Sequence, residues 1–170
     1  MSEHPRAILV SLDLNDAKGP TPCGALYAER RRGQETFSFE YDANWLKKQG
    51  IPIDPQLPLT PGRHFLANRE HANFGAFLDA SPDRWGRLLM RRREALRART
   101  EERQARTLSE SDFLLGVHDG HRIGALRFRL EPDGSFLDDD PTMGPVSCDP
   151  PRPGSASRHS PPWAPSQYRT

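Results

Sequence analysis

Glu35-Thr36-Phe37-Ser38-Phe39-Glu40-Tyr41 alternates without a break, with Phe37, Phe39 and Tyr41 on one side and Thr36, Ser38 and Glu40 on the other. A period of two is the pleat of a β-strand, and one apolar side backed by one polar side marks an antiparallel sheet with a single buried face. Outward from this strand, Cys23-Gly24-Ala25-Leu26-Tyr27-Ala28 reads as the strand before it, ending in Glu29 and three arginines ahead of Gly33. Residues 6–14 (RAILVSLDL) read as the first strand, passing from an apolar run into alternation with Leu12 and Leu14 opposite Asp13. The turn-rich stretch 15–20 separates the first two strands, and both connections are short enough for hairpins. After Tyr41, either Asp42 or Asn44 suits the cap of a short helix over Trp45–Gln49, stopped by Gly50.

Prolines at 52, 55, 58 and 61 argue against a long regular element over 51–64. Phe65-Leu66 and Phe74–Leu78 are short apolar pieces, edge strands or turns of helix. Ser81-Pro82-Asp83 predicts a helix start, with Ser81 as cap, Pro82 preset for the first turn and Asp83 at the positive end of the dipole. Trp85, Leu88, Leu89 and Leu96 follow at helical spacing and carry the helix to about Thr100. Thr107-Leu108-Ser109-Glu110 has the capping-box pattern for a second helix that buries Phe113, Leu114 and Leu115 and stops at Gly116. Beyond Asp119-Gly120, residues 123–128 alternate as another strand. The expected fold is α+β: a small antiparallel sheet or partly closed barrel with packed helices. From about Asp138 the composition changes, and the eight prolines of 141–170 predict a disordered tail.

The chain of 170 residues is 35% apolar and carries a formal charge of +1, which points to no polyanionic partner by itself. Its two cysteines, Cys23 and Cys148, are too sparse for a disulfide framework and share no metal spacing. No run approaches the roughly 20 apolar residues of a membrane span, so a soluble, cytoplasmic protein is expected.

Local charge is less even. Between Asp83 and Arg106 nine arginines face four acids. Arg84, Arg91, Arg92 and Arg93 are candidate anion or partner contacts, because guanidinium forks match phosphate oxygens. A solvated outer face, with arginines paired to Glu94, Glu101 and Glu102, is the favoured alternative. No aromatic residues interleave the arginines, so direct nucleic-acid binding is not expected. His64 and His71, and His118 and His121, lack the pattern of a metal site. Asp79, Asp83, Asp112 and Asp138–Asp140 are better explained as helix-terminal or solvated carboxylates, and Ser81 lacks a nucleophile elbow. Neither a dinucleotide fingerprint nor a Walker lysine occurs. The kinase-like fragments depart at their third residue, Leu114 after Asp112-Phe113 and Ile123 after His121-Arg122. No catalytic, cofactor-binding or metal-binding residue is assigned.

Three stretches together resemble the HipA family of toxin–antitoxin serine/threonine kinases. They are the opening meander, with Gly24-Ala25-Leu26, Phe37–Tyr41 and Trp45-Leu46; the run Phe77–Leu89 (FLDASPDRWGRLL); and Leu114–Asp119 followed by Arg122–Phe128. The family-signature positions are Asp83, Trp85, Gly86, Arg87, Leu88, Gly124 and Phe128, all in structural roles. The resemblance implies a HipA-like N-terminal subdomain over 1–106, the start of a kinase N-lobe over 107–140, and the tail over 141–170. In the family, the segments that hold ATP and magnesium follow the positions matched here, which implies no cofactor in this chain. It therefore implies an inactive N-terminal fragment whose residues from about Gly144 are an unrelated continuation. The alternative is a free-standing module that binds and restrains a HipA-like kinase. The implied partner is an antitoxin or a complementary kinase chain. In a fragment, Phe113, Leu115, Leu126 and Phe128 are expected to lose part of their packing.

Overall fold

A computed structural model describes residues 5–14, 19–31, 33–66, 72–119, 122 and 124–136. The expected tail, Cys148, His71, His121 and Asp138–Asp140 lie outside the described residues. Five strands, β1 (Arg6–Leu12), β2 (Thr21–Arg31), β3 (Gln34–Tyr41), β4 (Arg63–Phe65) and β5 (Leu126–Arg129), form one antiparallel sheet in the order β4-β3-β2-β1-β5. Four helices, α1 (Ala43–Lys47), α2 (Gly75–Asp79), α3 (Arg84–Thr100) and α4 (Glu110–Leu115), complete the α+β fold. The sheet is open, so the barrel form of the expectation does not hold; β4 and β5 are its two edges.

The alternation in β3 does what the pleat requires. Phe37, Phe39 and Tyr41 are buried beside Leu26 and Ala28 of β2 and Ile8 and Val10 of β1. Gly24 of β2 faces the same side, where a Cβ would collide with the Phe39 ring, so the glycine makes room for the largest side chain of the core. Tyr41, Phe39, Phe77 and Phe128 make a chain of rings at 4.9, 5.7 and 6.1 Å that runs from β3 through α2 to β5. Burying each such side chain contributes roughly 1.5–3 kcal/mol. Cys23, opposite a register shift between Val10 and Ser11, donates its thiol to the Val10 carbonyl at 3.4 Å, and burial pushes its pKa up to about 12. That thiol is a packing group, not a nucleophile.

Local polar contacts seat the helices. Asp42 caps α1, accepting from the amides of Asn44 and Trp45. Buried Asp54 reaches over the start of α2 and accepts from Ala76 N–H at 2.8 Å. Phe74–Leu78 is thereby a turn of helix, and Phe65 of the short edge strand β4 is exposed. Glu35, at the start of β3, accepts from both the amide and the hydroxyl of buried Ser111 at 2.8 and 2.6 Å, which fixes α4 to the sheet. Arg122 is the least expected of these groups. Its side chain is 1% exposed, and its guanidinium donates to the carbonyls of Ala80, Leu114 and Val117 at 3.1, 2.9 and 2.8 Å while lying over the Phe128 ring.

Several local expectations shift. The cap of α3 is Asp83, because the Ser81 hydroxyl donates instead to the Phe77 carbonyl at the end of α2. The capping box of α4 is formed by Ser109 and Asp112, since Glu110 is drawn away to Arg87. Leu14 lies past the end of β1 and is exposed. Ser38 is buried on the nominally polar side, flanked in register by Tyr27 and Phe65. Phe113, Leu115, Leu126 and Phe128, expected in a fragment to lose part of their packing, are all buried: β5 returns to β1 with Val10 opposite Phe128 and Leu12 opposite Leu126, and Phe113 lies beneath Arg87 and Arg91.

Two outcomes follow for stability. Arg122→Met leaves three carbonyls without a donor and lowers unfolding free energy by about 3–5 kcal/mol in denaturant titration. Limited proteolysis yields a protected core that extends through β5; cleavage to a stable core ending near residue 105 contradicts this fold.

Candidate interaction surface

The signature helix α3 holds seven arginines and a single acid, Glu94. Its start is rigid: Asp83 accepts from Gly86 N–H at 2.7 Å, and Gly86 is packed so tightly on Pro82 that a Cβ would stand 2.8 Å from the proline Cβ. Arg87 then makes a two-pronged ion pair with Glu110 of α4, at 2.6 and 2.8 Å, and its Nε donates to the Pro82 carbonyl. Both Arg87 and Arg91 lie over the ring of buried Phe113, at 4.8 and 5.3 Å. One turn on, Glu94 is buried and accepts from Arg103 at 2.6 Å and from Arg106 N–H at 3.1 Å, folding the segment after α3 back on the helix. These bonds, the Arg103 hydrogen bond above all, hold the Glu94 carboxyl down to about 2. Ala98 is the other buried residue of the helix.

The inner face of α3 is therefore Arg87, Glu94 and Ala98, held largely by charge. Met90 also lies on the inner side, close to Gly116, but the tryptophan and the leucines of the helix point the other way. Trp85 is 61% exposed, Leu88 37%, Leu89 47% and Leu96 63%. At about 100° per residue these four fall within an arc of roughly 100°, a stripe as wide as the one that normally meets a core. Arg92 lies near the middle of that arc, with Arg99 inside it and Arg84 about 40° beyond its edge. None of Arg84, Arg92 and Arg99 forms an ion pair among the described residues, and no acid of α3 lies on the stripe. Exposed apolar patches rimmed by polar residues mark protein–protein or membrane contacts, ligand grooves or aggregation-prone surface.

The sequence candidates separate accordingly. Asp83, Gly86 and Arg87 shape and anchor the helix, Gly124 takes a left-handed turn (φ 92°) ahead of β5, and Phe128 is core. Trp85 and Leu88, taken from the sequence as structural, are on the exposed stripe. Arg84 and Arg92 accompany them, whereas Arg91 lies over Phe113 and Arg93 lines a groove of about 280 Å³ between α3 and α4 with Glu94 and Asp112. The four arginines thus do not converge on one anion. His64 bonds to the Thr60 carbonyl and meets Tyr41 edge-on. A second depression, of about 450 Å³, lies over the outer sheet face between Leu9, Tyr27, Glu40 and Arg129.

The residues that most resemble a kinase motif do not fit magnesium or ATP. Asp112 accepts from the amide and hydroxyl of Ser109 at 3.0 Å and is 3.5 Å from Arg6, and Arg122 is consumed by its three carbonyls. Among the described residues no group of three or more His, Cys, Asp or Glu side chains could hold a metal ion. Nor is any helix among them long and apolar enough to cross a membrane.

The two faces of α3 should answer differently to substitution. Leu89→Ser and Leu96→Ser should leave unfolding free energy within about 0.5 kcal/mol of the parent chain, as exposed positions do. Glu94→Gln should lower the Tm at neutral pH. A carboxyl whose folded pKa is depressed stabilises above its unfolded value and loses that contribution as pH falls through the folded one. The Tm difference between parent and Glu94→Gln should therefore be full above about pH 4.5 and shrink toward pH 2.

Comparison with known families supplies one match. The family model described as the HipA N-terminal domain aligns with residues 18–129, from the approach to β2 through β5, and so includes the whole of α3. No curated protein and no solved structure matches the chain. The match covers well over half of the 170 residues, in agreement with the resemblance carried by the meander, the Asp83–Leu88 signature and the Gly124–Phe128 strand: the chain belongs to the HipA N-terminal domain family.

Proposed function

We propose that the chain is the non-catalytic docking region of a HipA-type serine/threonine kinase system in the cytoplasm, inactive in phosphoryl transfer on its own. The observation that supports this is the inverted packing of α3, whose polar side is fastened to α4 while Trp85, Leu88, Leu89 and Leu96 face outward. ATP and magnesium are held by the kinase, not by this region. As part of a kinase, the stripe meets the catalytic lobes; as a separate module, it meets a complementary kinase chain and restrains it. Both arrangements use the same contact. An antitoxin is the other candidate partner, and direct contact with nucleic acid is not part of this reading.

The chain alone should show no ATP binding and no magnesium-dependent autophosphorylation. A purified HipA-type kinase chain should bind it, with affinity at least about tenfold lower for Trp85→Ala, a loss of about 1.4 kcal/mol. Autophosphorylation by the chain alone, or kinase binding that ignores the α3 substitution, would overturn the proposal.

A further inference from the structure

The identity of the contact can be taken further, on the premise that α3 is the docking helix. We infer that the partner presents an acidic amphipathic helix to the Trp85–Leu96 stripe. Three observations lead there. The first is shape. Trp85, Leu88, Leu89 and Leu96 recur at spacings of three, four and seven and extend over about 16 Å of a straight helix, which fits the apolar seam of a second helix lying alongside.

The second observation is charge. Arg92 lies within the stripe itself, and Arg84 and Arg99 lie near its two ends. None of the three has an ion-pair partner among the described residues; of the nearby acids, Glu94 is engaged with Arg103 and Arg106, Glu101 with Arg103 and Glu110 with Arg87, which leaves exposed Glu102, beyond the end of the helix, as an acid not engaged in this way. A guanidinium covered by an apolar partner without an acceptor carries a heavy desolvation cost. The covering surface must therefore supply acceptors at the positions that meet these guanidinium groups, and carboxylates match their charge as well as their donors, beside the apolar residues that meet Trp85 and the leucines.

The third is what the alternatives would require. A second copy related by a two-fold axis would bring its own arginines against these, with like charges opposed. A phosphate backbone satisfies arginines but leaves three leucines and a tryptophan without apolar cover. A lipid interface takes the apolar face of a helix but not one with an arginine at its centre. Only an apolar seam flanked by carboxylates satisfies the whole stripe.

The test uses the full chain and two synthetic helical peptides of about 18 residues, long enough to hold helix in solution. Both carry leucine at helical spacing; one has glutamate and the other lysine along the seam. Fluorescence anisotropy should show the glutamate peptide binding at least about tenfold more tightly than the lysine peptide, more weakly as salt rises. Leu89→Ser with Leu96→Ser should abolish binding. Arg92→Glu should reverse the preference toward the lysine peptide, an outcome that general loss of folding cannot produce. Circular dichroism of each variant checks that the fold is kept. Equal binding of the two peptides, or none, overturns the inference. So does self-association of the parent chain that is lost with the leucines, or tighter binding to duplex DNA or to phosphatidylserine vesicles than to the glutamate peptide. If a HipA-type kinase still binds through Trp85 while the peptides are not distinguished, the docking function stands and the acidic-helix partner falls.

Discussion

Three main-chain carbonyls from separate parts of the chain end on one buried guanidinium, that of Arg122. Ala80 follows α2, Leu114 is near the end of α4, and Val117 starts the connection to β5. Orphan carbonyls at helix ends must find donors, and a buried end without them is costly. By serving all three, Arg122 fixes where α2 and α4 stop and aims the chain toward β1. Phe128, beneath the same guanidinium, then closes the ring chain begun at Tyr41. Without that clamp, β5 would lose its fixed approach to the sheet, although α4 would still be tied to β3 through Glu35 and Ser111.

The consequence for α3 is that the apolar space is filled before it arrives. Leu114 and Leu115 of α4 and Phe77 of α2 belong to the core over the sheet, and Phe113 is buried outside that cluster, beneath Arg87 and Arg91 of α3. The inner contacts of α3 are made largely by charge, in the Arg87–Glu110 fork, the two guanidinium groups over Phe113 and the Glu94 clasp, with Met90 and buried Ala98 beside them. Partly exposed ion pairs contribute little each, but a fork with planar geometry orients a helix well. The stripe of Trp85, Leu88, Leu89 and Leu96 is thus left over, at the point where the family signature is densest.

How much of this was legible in the sequence differs by element. The period of two in Glu35–Tyr41 states both the strand and its buried side, and β2 and α1 follow from equally local signals. The return of β5 to β1 was not legible, because pairing partners more than a hundred residues apart leave no local trace. Arg122 reads as one more surface cation; only the three carbonyls around it give it another meaning. The caps moved by two residues because serines and acids compete for more than one orphan group, as Ser81 and Glu110 do. At α3 the spacing of the apolar residues correctly gave a helix, but periodicity does not say which face meets the core. The excess of arginine over acid was a hint, since inner positions held by Arg87 and Glu94 free the apolar side for other use.

The central claim is that α3 turns its polar side inward and its apolar side to solvent. Hydroxyl-radical footprinting of the intact chain, read residue by residue by mass spectrometry, tests it without any substitution. Strong oxidation of Trp85, Leu89 and Leu96 is expected alongside protection of buried Trp45, Phe113 and Phe128. Protection of Trp85 and Leu89 at the level of Trp45 would contradict it, and α3 would then be an ordinary core helix.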